Sequence, residues 1–171
     1  MNLEEVIKNR KSVRFFKQQA IEEEKIKKII TLVNLAPSAG NLQAYKIFVI
    51  KDQEKINRLS KIAYGMSHFQ NLPPLVFVFC ADPHQSGQHY GKRGEKIYSL
   101  QDATIACAYA QLIITDLGLS SCWVGGFEEK ELQQFLKTHL LPVAILTIGY
   151  PGENPARHPR KSLQEIYEEI K

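Results

Sequence analysis

A chain of 171 residues, 44% hydrophobic and 23% charged, has the size of one domain and is too apolar for disorder. Its net charge of +4 permits an anionic ligand without demanding nucleic acid. No apolar run approaches the ~20 residues needed to cross a bilayer.

Taken in chain order, "NLEEVIKNR" opens with a capping pair, Asn2 and Glu5, and places Leu3, Val6 and Ile7 on one stripe, which predicts a short helix ending at a basic cluster. "IEEEKIKKIITLVNLAP" carries Ile26, Ile29, Ile30 and Val33 at helical spacing, acids first, with Pro37 beyond its end. "YKIFVI" (45–50) and "PLVFVFC" (74–80) are β-branched and aromatic and read as buried strands. Between them, "DQEKINRLSKIAYG" reads as a helix closed by Gly65. "EKIYSLQDATIACAYAQLIITDLG" reads as one long central helix capped by Gly118, followed by a short apolar strand, a surface helix "EEKELQQFLKTH" and a buried strand "PVAILTIG". "SLQEIYEEIK" opens with a second capping box, Ser162 to Glu165, and predicts a terminal helix with Leu163, Ile166, Tyr167 and Ile170 on one face. Helices and strands mix without strict βαβ alternation, so the expected fold class is α+β, layered around a small sheet.

Several familiar chemistries fail on spacing. There is no GxGxxG, and "GQHYGKRG" has too few residues between Gly87 and Gly91, with Arg93 where a phosphate loop needs a hydroxyl after Lys92. His84 and His89 sit in a polar stretch read as a loop, and no Cys or acid cluster joins them to make a metal site. No local pair offers a nucleophile with its base. Asp102, inside the central helix, reads as a satisfied buried polar group rather than a catalytic acid. Cys80, Cys107 and Cys122 are odd in number, form no CxxC and lie in apolar stretches; they read as buried free thiols. With no signal-peptide-like start, a cytoplasmic protein is expected.

Four stretches remain, each with two readings. Arg10, Lys11 and Arg14 either compensate a helix end or, with Ser12, form an anion site of guanidinium forks, an ammonium and a hydroxyl. Arg157, Arg160 and Lys161, stiffened by Pro155 and Pro159, are either a solvated tail or a second set of cations on an extended backbone. "APSAGNLQAYK" is either a plain turn with Gly40 at positive φ or a place where small residues admit a ligand to the backbone beside the amides of Asn41 and Gln43. Gly125 and Gly126, between an apolar strand and a helix start, are either an ordinary turn or a pair of bare N–H donors.

"RKSVRFF", "APSAGNLQAYKIFVI", "YGKRGEKIYSLQDATIACAYAQLIITDLGLSSCWVGGF" and "LTIGYPGENPARHPRKSLQEI", in that order, resemble the FMN-dependent nitroreductase family in its short form, over nearly the whole chain. The resemblance implies a layered α/β/α domain spanning 1–171 with a small, mostly antiparallel sheet, and residues 151–171 as a dimer-associated arm. It implies an intertwined homodimer with FMN at the subunit interface. By that likeness Arg10, Lys11, Ser12 and Arg14 contact the phosphate and ribityl chain, and Arg157 and Arg160 close on the phosphate. Pro37, Ser38, Ala39, Asn41 and Gln43 match a stretch that meets the flavin, in part from the partner subunit. Gly125 and Gly126 match a turn whose N–H groups face flavin N5 and O4. The chain has Gln43-Ala44-Tyr45 where the family often reads Q-P-W. The implied reaction takes hydride from NAD(P)H to flavin N5 and then to a small-molecule acceptor such as a nitroaromatic or quinone, with no metal and no side-chain acid or base. Two alternatives are a relative that consumes flavin or dehalogenates, and a non-enzymatic basic module binding nucleic acid through the 8–17 patch, where Phe15 and Phe16 would stack on bases; neither nucleic acid nor membrane is the expected partner.

Overall fold

The structure, a computed structural model, describes residues 1–170. Four strands, β1 (Tyr45–Ile50), β2 (Leu75–Ala81), β3 (Ser120–Val124) and β4 (Leu141–Gly149), form one sheet in the order β1-β2-β4-β3. Every pairing is antiparallel. β2 is buried at each residue, as its unbroken apolar run requires. The two-residue period of a strand then sorts its side chains. Phe77 and Phe79 pack in one layer with Ile26, Ile29 and Val33 of α2 (Glu23–Val33) and with Ala106, Cys107, Ala110 and Ile114 of α5 (Ser99–Asp116). Val76, Val78 and Cys80 pack in the other with Ile56 and Leu59 of α3 (Gln53–Ile62) and Leu132 of α6 (Glu129–Leu136). The result is the expected α+β sandwich of helix, sheet and helix. No helix among the described residues is long and apolar enough to cross a membrane.

Local chemistry sets several element ends. α1 (Leu3–Asn9) starts at a reciprocal cap, the Glu5 N–H donating to the Asn2 carboxamide at 2.9 Å and the Asn2 N–H to the Glu5 carboxylate at 3.0 Å. The Asp52 side chain accepts the Lys55 N–H at 2.8 Å to start α3. Gly118 (φ 74°) lets the chain leave α5 for β3, as read from the sequence.

Four expectations need correction. Residues read as a polar loop form α4 (Pro83–Arg93), started by the Asp82 carboxylate accepting the Gln85 N–H at 2.9 Å, with Pro83 in the first turn. The long helix is not continuous from residue 95: Gly94–Tyr98 is a π turn joining α4 to α5, preceded by a kink at Gly91 (φ 58°). α3 ends at Ile62, and Gly65 lies in a separate 3₁₀ turn (Tyr64–Met66), its N–H donating to the Gly126 carbonyl at 2.9 Å. No terminal helix forms among the described residues. The Ser162–Glu165 capping box forms, but it starts only one 3₁₀ turn (Leu163–Glu165), and Leu163, Ile166, Tyr167 and Ile170 are 69, 64, 65 and 95% exposed. An amphipathic segment gains helical stability by burying its stripe, and this one has no surface of its own chain beneath it. Lys171 lies outside the described residues.

Cys80, Cys107 and Cys122 are buried free thiols, as expected. Burial pushes the Cys80 thiol up to about 12 and also raises Cys107 and Cys122. At pH 8 a thiol of that acidity is ionised in only about one molecule in ten thousand, and the thiolate is the nucleophile. Native protein is therefore expected to resist a thiol-specific disulfide reagent at pH 8, and to release all three equivalents only after denaturation. Rapid labelling of the native fold would contradict the burial of these sites.

Candidate functional site

The chain leaves α1 at Arg10 and runs extended beside β3. Ser12 lies alongside Ser121 in a parallel bridge, and the Val13 N–H donates to the Ser121 carbonyl at 3.1 Å. It then pairs with the segment that follows β4: Lys17 N–H to the Tyr150 carbonyl at 2.9 Å, and Gly152 N–H to the Phe15 carbonyl at 2.8 Å. Glu153 fixes the crossing, its carboxylate accepting the N–H groups of Arg14 (2.6 Å) and Phe15 (3.0 Å). On the other side, the Asn71 carboxamide accepts the Phe16 N–H at 3.1 Å and donates to the Phe16 carbonyl at 2.5 Å. Asn71 is a positioning residue the sequence reading missed; a single amide in a loop carries no pattern to find it by. Phe16 is fully buried, which removes it from any base-stacking surface.

This lacing brings the two ends of the chain together. Arg10, Lys11, Ser12 and Arg14 from one end, and Arg157, His158 and Arg160 with Pro155, Ala156 and Pro159 from the other, line one cavity of about 260 Å³. His158 was not anticipated; it sits between the two arginines of "RHPR". Among the described residues no carboxylate lies within ion-pair distance of the five cations of this cavity. Lys11 instead donates to the Asn154 carboxamide at 2.6 Å. Arg157 caps the end of α1, its guanidinium donating to the carbonyls of Ile7 (3.0 Å), Lys8 and Arg10 (3.0 Å). Burial, followed by the charges of Arg160 and Arg157, holds Arg10 below the usual guanidinium value. A half-buried cation crowded by like charges is destabilised until an anion joins it. The donor set fits a phosphate dianion: planar forks from Arg10, Arg14 and Arg160, a point charge from Lys11 and a hydroxyl from Ser12.

Gly125 and Gly126 follow β3 at the end away from Ser121. Over four residues a strand covers ~13 Å, so β3 acts as a ruler between the cationic cavity and the glycine turn. The positive-φ glycines are Gly40, Gly91 and Gly118, so the turn does not need glycine for its backbone angles. Glycine is needed there for space. A Cβ on Gly126 would stand 2.7 Å from the Tyr64 ring and 3.4 Å from the Gly65 nitrogen.

Pro37, Ser38, Ala39, Asn41 and Gln43 lie elsewhere. A 3₁₀ turn (Ala39–Asn41) carries them into β1 at the end where Tyr45 pairs with Ala81, and Ala81 with Leu141. The cationic cavity adjoins the opposite end of β4, on the far edge strand, where Ser120 pairs with Gly149. Three strand spacings (~14 Å) and eight residue rises (~26 Å) separate the two corners of the sheet. One chain therefore does not bring these two groups together.

A family model described as "Nitroreductase family" matches residues 7–71 and 64–150. The chain belongs to the nitroreductase family. Among its relatives, the "FMN reductase (NADPH)" of Bacillus subtilis is 30% identical, over 98% of this chain and 73% of that one. The "Oxygen-insensitive NADPH nitroreductase" of Salmonella typhimurium is 24% identical over 96% of this chain and 72% of that one. Among solved structures, a nitroreductase family protein of Clostridium difficile 630 superposes with a TM-score of 0.85 at 30% identity, covering 98% of both chains. The sheet and two helical layers of this nitroreductase family member are those of such neighbours, and its 3–17 and 150–160 segments build the cationic corner upon them.

Proposed function

We propose that the protein is an NAD(P)H-dependent FMN oxidoreductase, with the FMN phosphate held by Arg10, Lys11, Ser12, Arg14 and Arg160 and the flavin ring near Gly125 and Gly126. One observation carries the reading: the cations of both chain ends converge on a single cavity, and among the described residues no carboxylate lies within ion-pair distance to neutralise them. Arg157 supports the cage indirectly, by tying the arm to the end of α1. FMN, when bound, supplies the two-electron chemistry that accepts hydride from NAD(P)H and passes electrons to a small-molecule acceptor such as a nitroaromatic or quinone, in ping-pong order. The residues of the chain bind and orient: the basic corner fixes the phosphate, β3 sets the distance, and the Gly125-Gly126 turn, packed on Tyr64 and Gly65, offers its backbone to the ring.

The second part of the reading is a homodimer with the site shared between subunits. The Ser38–Gln43 turn and the cationic corner are too far apart to meet in one chain, so the turn would serve the flavin of the partner. Residues 151–171, read as a dimer-associated arm, support the same arrangement. Their exposed Leu163, Ile166, Tyr167 and Ile170 alternate with Glu165, Glu168 and Glu169. The groove between β1 and α6, lined by Phe48, Phe135, Lys55, Arg58 and Lys137, has the complementary character. Tyr109 of α5 and Leu35 are further apolar groups left exposed.

The test is the visible absorption spectrum of freshly purified protein, followed by titration with FMN. A bound oxidised flavin with its paired visible bands is expected. A colourless protein that takes up no added FMN would overturn the reading.

Gly126→Val tests the ring position. The new side chain would meet Tyr64, which is exposed and can swing, and the Gly65 backbone, which cannot. Flavin content and steady-state NAD(P)H oxidation with a quinone acceptor are expected to fall together, by tenfold or more (~1.4 kcal/mol or more of lost binding), with the far-ultraviolet circular dichroism unchanged. Full flavin content with wild-type turnover would make this turn punctuation only.

A further inference from the structure

The Ser38–Gln43 turn is strained. Gly40 (φ 56°), Asn41 (φ 58°) and Gln43 (φ 45°) all lie in the left-handed region, two of them with side chains. Such conformations persist only where surrounding contacts over-determine them. The Ser38 hydroxyl accepts the Gln43 N–H at 3.0 Å, and the Gln43 side chain turns back on Ser38 and Asn41. These bonds lie inside the turn and do not fix it to the body of the molecule. Two bonds fix it: the Asp102 carboxylate of α5 accepts the Ala39 N–H at 2.9 Å, and the Gln85 carboxamide of α4 donates to the Leu42 carbonyl at 3.0 Å. Tyr90 of α4 closes the other side, its hydroxyl 2.2 Å from where a Cβ on Gly40 would stand.

Asp102 is 2% exposed, yet among the described residues only one of its oxygens is bonded, and Oδ2 has no partner there. The reading of this residue as fully satisfied is therefore half right. A buried carboxylate with a single hydrogen bond is a poor device for stability, because its second oxygen loses water and gains nothing. An apolar side chain would suit the position in α5 better if packing were its only purpose.

We infer that Asp102 is a positioning residue: it anchors the Ser38–Gln43 turn to α5 in its strained form, so that the turn is already shaped for the flavin before flavin binds. The inference rests on the proposed reading in which this turn meets the flavin of the partner subunit. Preorganisation of this kind raises affinity by removing an ordering step from binding.

The test uses full-length protein, freed of flavin and then reloaded with FMN, as Asp102→Ala and Asp102→Asn. Asparagine keeps an oxygen that can accept the Ala39 N–H; alanine does not. In the flavin-free protein, amide hydrogen exchange across residues 39–43 is expected to quicken by tenfold or more in Asp102→Ala and to stay near wild type in Asp102→Asn, while β2 and β4 exchange as before. FMN dissociation constants, read by fluorescence titration, should rise about tenfold for alanine and be rescued by asparagine, a pattern that general destabilisation does not give. Unchanged exchange in Asp102→Ala overturns the anchoring role. Faster exchange with unchanged FMN affinity leaves the anchor in place and overturns the contact between turn and flavin. Loss of sheet protection in both variants makes Asp102 a structural residue and overturns the inference.

Discussion

Replacing Arg10 with alanine is expected to weaken FMN binding by about ten- to a hundredfold and to leave riboflavin binding within about twofold. A hydrogen bond to a charged group contributes ~1.5–3 kcal/mol, and each ~1.4 kcal/mol is a factor of ten in affinity. Arg10 is the cation for which the structure argues most directly. It is half-buried at the end of α1, and the charges of Arg160 and Arg157 add to the effect of its burial. Removing it relieves repulsion in the flavin-free protein and removes a donor from the complex, so both changes act against phosphate binding. Riboflavin lacks the phosphate and is the internal control. Fluorescence titration of both ligands decides the matter: equal losses for the two would show that Arg10 does not hold the phosphate.

Deleting residues 155–171 is expected to have the larger effect, with FMN affinity down by more than about a hundredfold and a monomer in place of a dimer. The cut spares Glu153, which holds the Arg14 and Phe15 N–H groups, and the Gly152–Phe15 hydrogen bond, so the extended 12–17 segment keeps its seat. It removes Arg160 from the cavity and Arg157 from the end of α1, leaving the carbonyls of Ile7, Lys8 and Arg10 without their cap. It also removes the exposed apolar residues proposed to pack on a second chain. Light scattering and flavin content measure both consequences. A monodisperse monomer of the full-length chain that still binds FMN tightly would contradict the shared site.

The parts legible in the sequence were those written in local chemistry. β1, β2 and β4 announce themselves by β-branched and aromatic runs, and α1 by the Asn2–Glu5 pair. The cationic corner was legible as two clusters at opposite ends of the chain, and the structure brings them together. What was not legible depends on tertiary contact. α4 has no apolar stripe and contains Gly87 and Gly91; its only advertisement is Asp82-Pro83, and its buried residue is Ser86. The terminal capping box at Ser162 is as good locally as the one at Asn2, yet it yields one turn rather than a helix, because local capping cannot replace a surface to pack against. Gly125-Gly126 read as an ordinary turn or a pair of bare N–H donors, and the packing of Tyr64 and Gly65 against Gly126, which restricts the position, is a tertiary contact. Asn71 and Asp102 act through single hydrogen bonds or pairs of them to distant backbone, and no sequence period encodes that.

The junction of the two chain ends also bears on when the protein becomes competent during its own synthesis. Lys11 meets Asn154 across 143 positions, and Arg157 meets Ile7 across 150. A ribosome builds from the amino end, so a nascent chain carries Arg10, Lys11, Ser12 and Arg14 for most of its elongation without the opposing arginines. The sheet must already be folded to hold β3 and β4 side by side before the last segment has anything to close against, and contacts of such long range form late. In the proposed reading, cofactor capture therefore waits until residues 155–160 have joined the fold, and a chain stopped before them carries Arg10, Lys11, Ser12 and Arg14 without the groups that complete the cavity.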